Sequence, residues 1–229
     1  MKLRILIADD HEIVRQGLHS ILQGHDDWEI CGEASDGRSA IEKSRQLKPD
    51  IVIVDLGMPN LNGLDATRQI IHENPNIGVL VLSIDESEQM MREALNAGAR
   101  SFVLKSDAGR DLVAAVEALR RKRTFFTAKL ADLVLSGFLN PDAPNADRLP
   151  ARDPLTRRER EVVQLLAEGK TTKDVAVILN MSVKTAETHR SNIMRKLKLH
   201  SVSELVLYAV RNNIVQVPSP ITSAQAGAA

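Results

Sequence analysis

The first 122 residues alternate short apolar runs with longer segments whose apolar residues recur every three to four positions. The short runs are rich in Val, Ile and Leu, as buried strands are, whereas the longer segments have the spacing of amphipathic helices. Strands that are apolar on both faces and alternate with helices are typical of a parallel sheet covered by helices on both sides. The predicted strands are LRILIA, WEICGEA, DIVIVD, GVLVLS and SFVLK.

This alternation predicts an α/β domain over residues 1–122. Its fold class is doubly wound and flavodoxin-like, with five parallel strands in the order 2-1-3-4-5. After it the pattern changes: one more helical segment is followed by a stretch with prolines at positions 141, 144, 150 and 154 and no apolar period. We interpret residues 123–154 as a connecting helix and linker. Four helical segments follow without a strand signal, which predicts a small all-α domain over residues 155–213 and a disordered tail over 214–229.

The composition, 43% hydrophobic and 26% charged over 229 residues, is that of an ordinary globular protein. The net charge is zero, but residues 152–213 carry 12 Lys and Arg against 7 Asp and Glu, and the rest of the chain carries 18 against 23. This asymmetry suggests an anionic partner, such as nucleic acid, for the second domain. No apolar run approaches the ~20 residues of a membrane span, and a single cysteine, Cys31, fits a reducing compartment. We therefore expect a cytoplasmic protein without a membrane partner.

Acidic residues stand at the ends of two strands that are neighbours in the predicted order. Asp9 and Asp10 follow the first strand, and Asp55 ends the third. Because ligands bind outside the carboxyl ends of the strands, the three carboxylates should converge on one crevice. Their mutual repulsion requires a cation, and oxygen ligands favour Mg²⁺ over zinc. A lone aspartate in such a place would more often be a turn or helix-cap residue, so the interpretation depends on the convergence.

Two further polar residues end the remaining strands at the same edge, Ser83 after the fourth and Lys105 after the fifth. Alone, Lys105 would more often be a solvated surface residue. Acids, a lysine and a hydroxyl together suit phosphoryl transfer, in which catalysis is mostly positioning and charge neutralisation. Asp55 is the candidate nucleophile, because the loop that follows it, LGMPNLNG, has a proline and glycines that let the chain fold close to the site.

The motifs ADDH, VDLGMPNLNG, LS and SFVLKS resemble the receiver domain of two-component response regulators, over residues 3–122. The resemblance implies that Asp55 is the phospho-acceptor. It also implies a Mg²⁺ site in which Asp10 binds the metal directly, Asp9 binds it through water, and Gly57 contributes its backbone carbonyl.

The same resemblance assigns switch roles to three residues. Ser83 would turn its hydroxyl toward the phosphoryl group, and Lys105 would pair with the phosphoryl oxygens. Phe102 occupies the position of an aromatic switch residue that is often Tyr in the family. It would rotate inward on phosphorylation, but without a hydroxyl it cannot make a hydrogen bond there.

The third helical segment of the second domain is polar and basic on one face and follows a short turn, which suits a DNA major groove. Charge alone is equally compatible with a solvated face of a structural bundle. However, the motifs LTRRERE, KTAETHRSNIMRKL and SVSELVLYA resemble the LuxR-type helix-turn-helix, and the two domains together resemble regulators of the NarL/FixJ family. The resemblance implies that helix 183–198 reads double-stranded DNA. It assigns Glu187, Thr188 and Ser191 to base edges, and Lys173, Lys184, Thr185, Arg190 and Arg195 to phosphates.

The last helix, over residues 201–211, would supply a dimer face through Val202, Leu205 and Val206. Two positions depart from the family: Ala186 stands where Val is common, and Glu187 stands where some members have Lys. Because a carboxylate can accept a hydrogen bond from cytosine but cannot pair with guanine acceptors or phosphate, the operator sequence cannot be transferred from relatives.

These features predict a transcription factor whose phosphorylation at Asp55 by a histidine kinase controls dimerisation and sequence-specific DNA binding. It would not be an enzyme, apart from catalysing its own phosphorylation and dephosphorylation. An alternative is a protein-binding regulator that uses the receiver as a docking surface without phosphorylation, although such receivers often lose a site residue and this one has the full set. A hydrolase of small phosphoesters is disfavoured, because nothing resembles a cap or a leaving-group pocket.

Overall fold

The computed structural model describes residues 2–127 and 154–216. The predicted connecting helix and the chain beyond residue 216 lie outside the described residues. In the first range, strands and helices alternate as the apolar pattern predicts. They are β1 (Leu3–Ala8), α1 (Glu12–Leu22), β2 (Trp28–Ala34), α2 (Gly37–Leu47), β3 (Ile51–Asp55), α3 (Gly63–Glu73), β4 (Gly78–Ser83), α4 (Glu88–Asn96), β5 (Ser101–Leu104), a short 3₁₀ turn (Lys105–Asp107), α5 (Ala108–Arg120) and β6 (Phe125–Phe126).

All strand pairs are parallel, and the sheet has the order β2-β1-β3-β4-β5-β6. The predicted order of the first five strands is confirmed. The sixth strand is an addition, since Phe125 and Phe126 pair with Ser101 and Phe102 of β5. The predicted connecting segment, residues 123–154, includes both phenylalanines. They extend the sheet because their side chains pack, partly buried, against the two cores of the domain.

The sheet separates two apolar layers. Alternate residues of the central strands, such as Val52 and Val54, face α2, α3 and α4, and the intervening ones, such as Ile51 and Ile53, face α1 and α5. The strands β3 and β4 are buried along their full length by the covering helices. Their carboxyl ends lie at one edge of the sheet. This arrangement places Asp55 and Ser83 at that edge.

The second range forms an all-α domain whose helices begin at side-chain caps. Thr156 and Thr171 form capping boxes, and Ser182 and Ser201 each accept a hydrogen bond from a backbone N–H of the first turn. The four predicted helices are confirmed. They are α6 (Arg157–Ala167), α7 (Thr172–Ile178), α8 (Val183–Leu197) and α9 (Val202–Arg211).

The predicted start of the tail at residue 214 is wrong. Ile214 is fully buried in the helical core, and Val215 packs partly against it. The apolar pair therefore extends the packed domain beyond Asn213. No helix within the described residues is long and apolar enough to cross a membrane.

Candidate phosphorylation site and DNA-binding helix

The three predicted carboxylates converge at the carboxyl edge of the sheet. Ligand atoms of Asp9, Asp10 and Asp55 lie within 4.8 Å of one another, together with a ring nitrogen of His11. Asp9 and Asp55 are buried, and Asp10 is partly exposed. Burial of like charges is unfavourable unless a cation compensates them. The cluster therefore has the electrostatics of a cation site.

Lys105 supplies one such cation. Its Nζ lies 2.8 Å from Oδ2 of Asp9 and 3.0 Å from Oδ1 of Asp55, and its side chain is 17% exposed. The 3₁₀ turn that follows β5 begins at Lys105 and directs its side chain across the strand ends. The lysine thus bridges the first and third strands, as the sequence analysis expected of a neutralising residue.

The titration of Asp55 and Lys105 reflects this arrangement. Burial raises the pKa of Asp55, and Asp9 raises it further, while Lys105 lowers it without cancelling the shift. Burial opposes the charge on Lys105, but Asp55 and Asp9 outweigh it and raise the pKa of the lysine. Two carboxylates and one ammonium leave a net negative charge in a buried crevice.

The donor set fits a hard divalent cation. Oδ1 of Asp10 is buried and has no hydrogen-bond partner among the described residues, although Nδ1 of His11 lies 2.7 Å away. Carboxylate oxygens are the ligands that Mg²⁺ prefers. His11, whose side chain is 66% exposed, was missed as a participant by the sequence analysis, although it directly follows the acidic pair. Asp9, Asp10 and Asp55 could thus hold Mg²⁺.

The loop after β3 folds back on the acidic cluster, as its glycines suggested. A Cβ atom at Gly63 would collide with the carbonyl oxygen of Asp55, and one at Gly57 would lie 3.6 Å from Oδ2 of Asp55. Asn60 adopts a positive φ of 63°, a conformation that Asn tolerates better than most residues. Gly57 is therefore close enough to contribute to the site.

Ser83 and Phe102 are placed differently from Lys105. The Ser83 hydroxyl donates to the carbonyl of Asp85 and accepts from its N–H, so it is engaged with its own loop. Phe102 is only 1% exposed and packs in the core on the α4 side. An inward rotation of Phe102, expected from the family resemblance, does not fit a side chain that is already buried.

The predicted DNA-reading residues share an exposed surface of α8. Lys184, Glu187, Thr188 and Ser191 are exposed and, with Arg190, line an open groove of about 600 Å³. Thr172, Asn192 and Met194 also line this groove, and Met194 packs partly against the helical core. The inner face of α8 is held by Ala186 and Ile193, both fully buried.

The outer face of α9 differs from the predicted dimer face. Leu205 is 1% exposed and belongs to the helical core, whereas Val202 is 47% and Leu207 is 54% exposed. Val206 is partly buried. A dimer face on this helix would therefore use Val202, Val206 and Leu207. Leu205 instead holds α9 against the domain.

The two domains contact each other through α6. Arg38 donates to Glu161 at 3.0 Å, and Arg160 pairs with Asp65 at 3.2 Å. Nearer the acidic cluster, the amide side chain of Gln164 is hydrogen-bonded to the loop after β3. These contacts are polar, and no pattern in the sequence predicts them.

Family models match both domains. A model described as the response regulator receiver domain covers residues 5–117, and one described as bacterial regulatory proteins of the luxR family covers residues 153–209. The oxygen regulatory protein NreC of Staphylococcus carnosus is 36% identical over 93% of this chain and 99% of its own length. The transcriptional regulatory protein LiaR of Bacillus subtilis is 38% identical over the same shares.

Among the solved structures, a structure of two RcsB dimers bound to two parallel DNAs is similar to this chain. Its identity is 26% and its TM-score 0.55, and the match covers 91% of this chain and 98% of that one. Both domains, in the same order, are thus shared with full-length regulators. The chain belongs to the NarL/FixJ family of response regulators, with a receiver domain and a LuxR-type DNA-binding domain.

Proposed function

We propose that a histidine kinase transfers a phosphoryl group to Asp55, and that this transfer controls dimerisation and promoter binding through α8. The observation that carries the proposal is the ion pairing of Lys105 with both Asp9 and Asp55 at the carboxyl edge of the sheet. A nucleophilic carboxylate, an adjacent cation and two further acids form a complete set for phosphoryl transfer.

In the transfer, a carboxylate oxygen of Asp55 attacks phosphorus, the P–N bond of the kinase phosphohistidine breaks, and the leaving imidazole takes up a proton. The Lys105 ammonium is already 3.0 Å from the reacting carboxylate and would offset charge on the incoming phosphoryl oxygens. Mg²⁺, held by Asp9, Asp10, Asp55 and the carbonyl of Gly57, would supply further charge neutralisation there. The domain would thus catalyse only its own phosphorylation and dephosphorylation.

After transfer, Ser83 would exchange its hydrogen bond to Asp85 for one to a phosphoryl oxygen. This exchange would move the loop between β4 and α4, where Ile84 is 62% exposed. Because Phe102 is already buried, the change at Ser83 does not require it to move. The altered surface would favour a homodimer in the cytoplasm. In this dimer, the two copies of α8 would bind two half-sites of the promoter DNA about 34 Å apart.

The alternative function is a regulator that docks proteins without phosphorylation. A DNA-binding measurement separates the two. The probe is a duplex recovered by genome-wide footprinting with protein treated with acetyl phosphate and Mg²⁺. The proposal predicts an affinity increase of about tenfold or more on adding donor and Mg²⁺. Binding that does not change with donor or Mg²⁺ would favour the alternative.

A further inference from the structure

Gln164 of α6 reaches the loop that follows Asp55 with both ends of its amide. Its Oε1 accepts from the backbone N–H of Asn62 at 2.8 Å, and its Nε2 donates to the carbonyl of Met58 at 3.1 Å. The side chain is 1% exposed. A buried amide that satisfies two main-chain groups is costly to remove, because those groups would be left without partners.

Glu168, one turn further along the chain, continues the contact. Its carboxylate accepts from the backbone N–H of Asn60 at 3.1 Å and from Nε2 of Gln164 at 2.7 Å. Asn60 is the residue with positive φ in this loop. The DNA-binding domain therefore holds the loop at residues 58, 60 and 62, between Asp55 and the start of α3.

The same part of the DNA-binding domain forms one wall of a cavity beside the acidic cluster. The cavity has a volume of about 160 Å³ and is lined from the receiver by Asp10 and Gly57, and from the second domain by Gln164, Glu168 and Gln216. The Oε1 atom of Gln216 would lie 2.8 Å from a Cβ placed on Gly57. Residues of the second domain therefore narrow the access of a phosphodonor to the acidic cluster on this side.

In this arrangement, in which the second domain is docked on the receiver, α8 is exposed to solvent. Lys184, Glu187 and Thr188 are all exposed. The interface consists of α6 and the segment after α9 instead. Docking thus leaves the DNA-reading surface uncovered, and its direct effect falls on the loop and rim of the phosphorylation site.

From these contacts we propose that Gln164 and Glu168 are positioning residues of the phosphorylation site, supplied by the DNA-binding domain, and that their docking slows phosphoryl transfer to Asp55. The inference rests on the proposed function. Two physical effects would both lower the rate of phosphoryl transfer. The Glu168 carboxylate repels the anion that must enter the crevice, and the docked wall restricts the donor's approach.

The test uses the full chain and acetyl phosphate with Mg²⁺, which transfers its phosphoryl group to Asp55 and releases acetate. Initial rates of phosphorylation are measured for the wild type, Gln164→Ala and Glu168→Gln. Glu42→Gln on α2 is the control: it also removes one carboxylate, which accepts a hydrogen bond from Gln46 on the same helix. We expect rates about three- to tenfold higher for the two α6 variants, the effect of losing one or two net hydrogen bonds from the docked state, and no change for Glu42→Gln.

Backbone amide exchange provides a second readout, which reports whether the docking contacts are lost. The N–H groups of Asn60 and Asn62 should exchange faster in Gln164→Ala, whereas the N–H of Gly63, which donates to Leu56 within the receiver, should not. If Gln164→Ala does not fold, Glu168→Gln carries the rate measurement, because it removes the negative charge beside the Asn60 N–H.

Equal rates in the wild type and both α6 variants, or unchanged exchange at Asn60 and Asn62, would overturn the inference. Absence of phosphorylation in every protein, including the wild type, would instead overturn the proposed function on which it rests.

Discussion

Lys105 and Asp55 form an ion pair of 3.0 Å at the carboxyl edge of the sheet. The pair joins the residue after β5 to the last residue of β3, and the lysine also reaches Asp9, which directly follows β1. Among the described lysines and arginines, Lys105 is the one whose side chain pairs with two carboxylates of the acidic cluster. Its removal would leave buried carboxylates without compensation.

Replacing Lys105 with Gln should lower the free energy of unfolding at neutral pH, without added metal, by about 2–3 kcal/mol. Breaking a fully buried pair costs about 3–5 kcal/mol, and the partial exposure of Lys105 reduces that figure. Denaturant titration measures the loss. Lys105→Arg, which keeps the charge, should lose less, and a Lys105→Gln variant as stable as the wild type would contradict the pairing.

Asp55→Asn should be more stable than the wild type at neutral pH in the absence of metal. Burial raises the pKa of Asp55 above its ordinary value of 3.8, so the folded state loses stability as the pH rises from 3.8 through the folded-state pKa, and the full penalty applies above that pKa. The advantage of the variant should shrink as the pH falls through the folded-state pKa and should be lost below 3.8, where both states are protonated. Melting curves over this pH range test the sign, and an advantage that grows toward acid would refute it.

Lys184→Ala should weaken DNA binding similarly for all sequences and reduce the salt slope of the binding constant by about one unit. Lys184 is exposed on the groove of α8, and it forms a long ion pair of 3.9 Å with Glu187. Fluorescence anisotropy at several salt concentrations gives the slope. Lys2→Ala, which removes a charge from the start of the receiver, should leave the slope unchanged.

Leu207→Asp should impair dimerisation of the phosphorylated protein with little loss of stability, because this side chain is 54% exposed on α9. Leu205→Ala should instead lower the free energy of unfolding by about 2–5 kcal/mol, since Leu205 is buried. Sedimentation velocity and denaturant titration separate the two effects. Dimers of normal strength in Leu207→Asp would exclude α9 as the dimer face.

The acidic cluster could be predicted because strand ends in a parallel sheet are fixed by topology. Asp9, Asp55 and Lys105 each directly follow or end an apolar run, and the strand order brings them together. The hydrogen bond of Ser83 to Asp85 and the buried position of Phe102 depend on side-chain rotamers and local packing. The spacing of apolar residues along the chain does not predict either of these features.

The errors in the second domain have a similar origin. In a small bundle the helical period marks an apolar stripe without saying which part of it faces the core, so Val202 and Leu205, three positions apart on one face, could not be told apart. Ile214 lies beyond the last periodic segment and is buried only because the chain turns back after α9. The hydrogen bond between Gln164 and Asn62 joins residues that are 102 positions apart in the sequence. Neither residue belongs to a sequence pattern that predicts this contact.

The most direct test is the intact mass of the wild type and of Asp55→Asn after incubation with acetyl phosphate and Mg²⁺. We predict that the wild type gains one phosphoryl group and then binds its footprinted promoter duplex more tightly, while Asp55→Asn gains none and binds equally with or without donor. Phosphoryl incorporation by Asp55→Asn to the wild-type level would contradict the assignment of Asp55 as phospho-acceptor.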